Sequence, residues 1–264
     1  CEAEMKYVNI TSMHHDGFCL FESKQTDFTS TNAAAKRDLI AELAEQCAAK
    51  GLGLCLYYSH GRQWKHPHGM CEPKYDESSR PLYPTTDPNY ASPEDHDISK
   101  YVEHVKNQMT ELLTNYGPIA NIWFDGWSTP YNGPWREELE LPELYAHIRK
   151  LQPDCLISYK WNITGTEDFY APEYHWPAGD DEQMAKVRAN PKPMELCHLI
   201  AGWAYLEREL GKHRGADSIM ADFDYAAQYD ANLLLGTGPE PTGLIDKQDA
   251  ASLREVGRRL RAGG

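Results

Sequence analysis

The 264-residue chain is poor in positive charge, in phenylalanine and in long apolar runs. Lys and Arg together number 26 against 40 Asp and Glu, which leaves a formal net charge of −14. A surface of that sign repels polyanions at long range and argues against nucleic acid or an anionic membrane face as partner. No apolar stretch approaches the roughly 20 residues of a helical membrane span, and the mean hydropathy is −0.66. No GxGxxG or GxxxxGKS sequence follows any strand pattern, so a phosphate cradle of either kind is excluded. The seven cysteines form no CxxC pair and no zinc-ribbon spacing. Cys55 and Cys155 fall in apolar runs, where a reduced thiol acts as a small hydrophobe. The start, Cys1-Glu2-Ala3-Glu4, is acidic and does not resemble a secretory signal. A strand pattern follows almost at once, so the natural N-terminus is expected to lie upstream. What is plentiful is aromatic: 16 Tyr and 7 Trp. A globular catalyst or binder of a neutral ligand fits that inventory.

Strand-like and helix-like runs alternate. Residues 7–13 (YVNITSM), 52–59 (LGLCLYYS), 119–125 (IANIWFD), 155–160 (CLISYK), 194–200 and 232–236 read as strands. Helices are expected over 33–50, with Gly51 as the stop, over 94–115, 141–151, 217–229 and 247–261. Residues 60–93 and 161–193 show no sustained period and read as long loops, the kind that usually serves a function. The alternation points to parallel strands with helical crossovers. Polar and aromatic residues gather at the strands' C-terminal ends: His14 and His15, Tyr57, Tyr58 and Ser59, Trp123 and Asp125, Lys160 and Trp161, with the fifth strand leading toward Trp203. Such convergence is how a (β/α) barrel builds its active site. The expected fold is α/β, a distorted (β/α)8 TIM-type barrel spanning 1–264 as one catalytic domain. Six strands are counted, so the barrel is expected to be incomplete at its N-terminus.

Asp125 ends an apolar strand, where a carboxylate is disfavoured and costly to bury without a partner. It reads as a nucleophile or as a stabiliser of developing positive charge. Acid/base work in glycoside cleavage needs a second carboxylate. Glu167, Asp168, Glu173 and Glu195 are the candidates, and the residues alone leave them open. Glu173 sits in Ala171-Pro172-Glu173-Tyr174-His175-Trp176, whose rings would raise a carboxyl pKa by desolvation. His14 and His15 suit sugar hydroxyls. A metal reading would recruit His60, His66, His68 or Cys71 from the long loop, though their spacing matches no closed zinc motif. Asn9 and Asn162 begin formal glycosylation sequons that read as incidental, one inside a strand and one at a strand end.

Taken in order, the motifs resemble one family. His14-His15-Asp16-Gly17-Phe18-Cys19-Leu20-Phe21 followed by Thr26-Asp27-Phe28 is similar to the KHHDGFCLW…TDF signature of the α-L-fucosidases of glycoside hydrolase family 29, with Met13 in place of the usual Lys. Leu56-Tyr57-Tyr58-Ser59, Ile122-Trp123-Phe124-Asp125-Gly126, Gly165 to Glu173, Trp203-Ala204-Tyr205 and Ala231 to Leu235 continue the resemblance. It implies a distorted (β/α)8 barrel and metal-free, cofactor-free, retaining hydrolysis of terminal α-L-fucose. It also implies Asp125 as nucleophile and Glu173 as acid/base. His14, His15, Tyr57, Trp123, Lys160 and Trp203 would be sugar contacts. Fucosylated oligosaccharides or glycoconjugates would be the partners, and a secreted, periplasmic or lysosomal setting the compartment. Family members carry an HWG-type strand before the HHDGF strand, a loop with another Glu-Trp pair and a C-terminal β-sandwich, and this sequence is expected to lack all three. An open seam is therefore expected, which a second copy of the chain could cover. A catalytically weak fucose-binding remnant and a metal-dependent hydrolase using His14, His15 and His66 are the alternatives.

Overall fold

Alternation of side chains explains why residues 53–59 form the organising strand. Leu54, Leu56 and Tyr58 point to one face and are buried, while Cys55, Tyr57 and Ser59 point to the other. In a computed structural model, which describes residues 1–70, 95–126, 136–173 and 182–263, this strand lies inside a four-stranded parallel sheet. The strands are β1 (Tyr7–Met13), β2 (Gly53–Ser59), β3 (Asn121–Asp125) and β4 (Leu156–Ser158), in that spatial order. Registration is direct. Ile10, Leu56, Ile122 and Ile157 form one row, and Thr11, Tyr57, Trp123 and Ser158 the row that faces the other way.

The apolar row packs under three helices, α1 (Leu39–Lys50), α2 (Ile98–Asn115) and α3 (Leu141–Leu151). Ile40, Val105, Met109 and Ile148 are fully or almost fully buried in the same core as Leu56 and Ile122. Each such side chain contributes about 1.5–3 kcal/mol by leaving water. The helix starts differ from the periodicity-based expectation for a local reason. Asp38 accepts from the Ala41 amide and caps α1, so the helix begins at 39 rather than 33; Lys36 just before it is left-handed, at φ +52°. Asp97 likewise accepts from Ser99 and starts α2 at 98 rather than 94.

The chain divides into two compact units: residues 7–168, just described, and residues 1–6 with 169–264. The second holds a two-stranded parallel sheet, β5 (Glu195–Leu199) beside β6 (Asn232–Gly236), with helices α4 (Glu182–Ala189), α5 (Ala216–Gln228) and α6 (Lys247–Gly263). Ile200, Ile219 and Val256 form its small apolar centre. Helix α4 falls in a stretch read from sequence as irregular. Its Glu-Gln-Met-Ala-Lys-Val-Arg-Ala order offers too few apolar positions to mark a face.

All six expected strands are present with near-expected bounds. Among the described residues these strands form one sheet of four and one of two, which does not by itself make the expected ring of eight. Asp168 bonds to the edge of β4, its N–H donating to the Ile157 carbonyl and its carboxylate accepting from the Ile157 amide. The long loop read over 60–93 is described only as far as residue 70; Cys71, His175 and Trp176 lie outside the described residues.

Just past their C-terminal ends, β2 and β3 touch backbone to backbone. The Gly61 amide donates to the Asp125 carbonyl at 2.8 Å, and a Cβ added at Gly61 would stand 2.0 Å from the Gly126 carbonyl oxygen. Gly126 itself has φ +81°. Gly61→Ala is therefore expected to destabilise the fold by about 2 kcal/mol or more. Urea unfolding followed by circular dichroism checks this, and a wild-type midpoint contradicts it.

Candidate active site

Two consecutive histidines on a regular strand would face opposite ways. The β1–β2 register slips between Thr11 and Met13, and this irregularity releases both from the alternation. The His14 and His15 rings lie 4.1 Å apart. His14 then stacks on Tyr57 at 5.5 Å, and Tyr57 on Trp123 at 5.6 Å. Three adjacent strands thus present a continuous shelf of rings along their C-terminal ends. On the far side Trp64 approaches His15 at 6.0 Å, its backbone N–H held by the His15 carbonyl at 2.7 Å.

Asp125 stands beside this shelf, 7% exposed. Its Oδ2 accepts from the Tyr57 hydroxyl in a very short bond. Its Oδ1 accepts from the Gly126 amide at 2.5 Å and meets the Lys160 ammonium at 2.6 Å. Burial alone would push this carboxyl upward. The Lys160 charge and hydrogen bond, the Tyr57 hydroxyl and the field of His15 outweigh that and hold it below the ordinary carboxylate range. Asp125 is therefore an anion at neutral pH. Lys160 reaches it from a left-handed backbone, φ +41°, a conformation costly for a residue with a Cβ and often found where a side chain has been re-aimed. The same turn ends β4 after Ser158, two residues short of the expected strand. The Lys160 ammonium also lies 5.9 Å over the Trp123 ring.

His15 is held neutral. Burial, then the neighbouring His14, bring its pKa down to about 3 against the opposing pull of Asp125. His14, His15 and Asp125 offer ligand atoms within 4.8 Å of one another, a group able to hold a metal ion. The Lys160 ammonium already supplies a cation against Asp125, and Tyr57 takes its other oxygen, so the arrangement fits an organic ligand better than a metal. His66, recruited by the metal reading of the sequence, packs instead on His104 at 4.6 Å and Tyr101 at 5.3 Å.

The rivals of Glu173 have structural duties. Glu167, 2% exposed, accepts from the backbone amides of Ile163, Thr164 and Gly165 and from the Tyr145 hydroxyl. Asp168 pairs with Arg149 at 3.0 Å while holding the β4 edge. Glu195, buried in β5, accepts from the Asn232 side chain at 3.0 Å. Glu173 is half-buried in the second unit, its backbone bridged in parallel to Cys197. Trp203, in the same unit, is 57% exposed. The structure thus gathers His14, His15, Tyr57, Trp123, Asp125 and Lys160 within the first unit and carries Glu173 and Trp203 in the second.

Ser59 stands among the polar strand ends in the sequence but without a role of its own, and Trp64 does not stand out there. Ser59 pairs in register with Asp125, so aligning the two strand ends would have found it. Trp64 carried no signal in a loop without period.

A sequence model of the family described as alpha-L-fucosidase matches residues 1–264. The chain is 32% identical to Alpha-L-fucosidase 1 of Arabidopsis thaliana over 274 residues, which cover 94% of this chain and 47% of that protein. It is 27% identical to Putative alpha-L-fucosidase 1 of Oryza sativa subsp. japonica, over 94% of this chain and 46% of the relative. Among solved structures, alpha-L-fucosidase isoenzyme 1 from Paenibacillus thiaminolyticus superposes with a TM-score of 0.79 at 30% identity, covering 100% of this chain and 61% of that one. The fold is thus the α/β fold of these proteins' matched regions. The chain spans about half the length of the curated relatives it matches.

Lys160→Met is expected to raise the Asp125 pKa toward or above the ordinary value near 4, read by carboxyl carbon NMR. Because the folded pKa lies below the unfolded one, the pair stabilises the fold above about pH 4. That stabilisation fades as pH falls through the depressed folded value. The variant is expected to lose about 3 kcal/mol at pH 7 and progressively less in acid. A loss independent of pH contradicts the ion pair's role.

Proposed function

The chain belongs to the alpha-L-fucosidase family, and we propose that it carries the machinery for hydrolysing terminal α-L-fucosyl linkages with retention of configuration. One observation carries the reading: Asp125, in Ile122-Trp123-Phe124-Asp125-Gly126, is a buried carboxylate kept ionised and fixed by Lys160, Tyr57 and Gly126 at the end of an aromatic shelf. A nucleophile of that kind needs a lone pair at neutral pH and a rigid mounting.

In the first step an Asp125 oxygen attacks the anomeric carbon, forming a C–O ester bond. The bond to the leaving oxygen breaks, and Glu173 gives that oxygen its proton. In the second step Glu173 removes a proton from water, the water oxygen attacks the same carbon, and Asp125 leaves as the carboxylate. Tyr57 and Trp123 suit the apolar face and methyl group of fucose, while His14 and His15 suit its hydroxyls. Trp203 is proposed as a further aromatic contact. The substrate is neutral, so the chain's negative charge does not oppose its approach. Terminal fucose on oligosaccharides or glycoconjugates is the proposed substrate class. The complex of Lactobacillus casei AlfC with its α-L-fucose product, a fold match of TM-score 0.80 at 24% identity over 99% of this chain and 77% of that one, supplies a solved instance of the ligand. A single catalytic domain of the distorted (β/α)8 type is proposed with it.

Two variants test the roles. Asp125→Ala is expected to lower kcat/KM on an aryl α-L-fucoside by about 10⁴-fold or more, with azide restoring turnover and yielding a fucosyl azide. A wild-type rate in that variant removes Asp125 from the mechanism. Glu173→Ala is expected to slow unactivated oligosaccharides far more than aryl fucosides, because only poor leaving groups need the proton. Equal losses on both assign the acid elsewhere.

A further inference from the structure

Ser59 ends β2 beside Asp125 and is fully buried. Its hydroxyl makes two bonds, each 2.5 Å long: one to the Arg62 carbonyl oxygen and one to His15 Nδ1. A serine hydroxyl carries one proton. The Arg62 carbonyl can only accept, so Ser59 spends its proton there. The His15 contact must then run the other way, from Nδ1–H to the serine oxygen. Reversing it would turn the Ser59 proton toward His15 and leave two lone-pair-bearing oxygens facing each other at 2.5 Å without a proton between them, a repulsive arrangement inside the protein.

We propose that Ser59 is a positioning residue that locks His15 as the Nδ1–H tautomer, leaving Nε2 as a bare acceptor for a ligand hydroxyl. The two ring nitrogens of a neutral imidazole have opposite roles, and the bond made by one dictates the role of the other. His15 is neutral for the reasons already given, so Nε2 carries a lone pair and no proton. This sets a chemical requirement at the site. The group that meets His15 there must donate, as a sugar hydroxyl does; a carbonyl or carboxylate oxygen would be refused. The segment after β2 supports the same arrangement, since the Trp64 amide is tied to the His15 carbonyl and the Arg62 carbonyl accepts from Ser59. The choice of a hydroxyl ligand rests on the fucosidase reading, whereas the tautomer does not.

The test is a long-range proton–nitrogen correlation spectrum of the full chain labelled with ¹⁵N-histidine at pH 7, with the His15 signals assigned by His15→Gln. The wild-type spectrum is expected to show a protonated Nδ1 and an unprotonated Nε2 at His15. An Nε2–H form, or a doubly protonated ring, overturns the proposal without need of any variant. In Ser59→Ala the His15 signals are expected to move toward the Nε2–H form, and KM for an aryl α-L-fucoside to rise about tenfold with a smaller change in kcat, the worth of one hydrogen bond. An unchanged tautomer together with an unchanged KM overturns it as well. If the chain hydrolyses no fucoside, the spectrum still decides the tautomer, and the failure then belongs to the functional reading alone.

Discussion

The site is organised by the placement of one negative charge inside the fold. A carboxylate 7% exposed at the end of an apolar strand is untenable alone, because its desolvation cost is several kcal/mol. Asp125 is tenable through its close contact with the Lys160 ammonium and through the two hydrogen bonds it accepts from Tyr57 and Gly126. Each partner carries its own structural requirement. Lys160 must take a left-handed backbone, Gly126 a positive φ, and Gly61 must lack a side chain so that the ends of β2 and β3 can meet. Charge, backbone geometry and strand spacing are thus coupled at one point.

The rest of the first unit keeps that point rigid. The sheet's apolar row buries Leu56, Ile122 and Ile157 completely against helices α1 to α3. Its opposite row carries Tyr57 and Trp123, whose rings continue the stack begun by His14. The two faces of one parallel sheet therefore divide stability from chemistry. Alternation makes that division automatic once the register is set.

Much of this was legible in the order of residues. Apolar runs located all six strands, and the carboxylate at the end of IANIWFD announced Asp125. What escaped depends on information that does not run along the chain. The Lys160–Asp125 pair joins the end of β3 to the turn that follows β4 and appears only when the two strands are in register. The helix starts shifted because single side chains, Asp38 and Asp97, cap the backbone locally and override a periodic pattern. The short helix Glu182–Ala189 has no apolar stripe to betray it. Among the carboxylates, Glu167 could not be separated from Glu173 by composition. Its work in gathering three backbone amides depends on a turn whose geometry leaves no mark in the residue types.

The central claim is that the anion held by Lys160 and Tyr57 becomes covalently bound to the sugar. A 2-fluoro fucosyl fluoride tests it most directly: the fluorine slows both steps, the good leaving group preserves the first, and the intermediate accumulates. Mass spectrometry of peptides from the inactivated chain is predicted to find the fluorofucosyl adduct on Asp125. An adduct on another residue, or an inactivated chain whose Asp125 peptide is unmodified, would contradict the account.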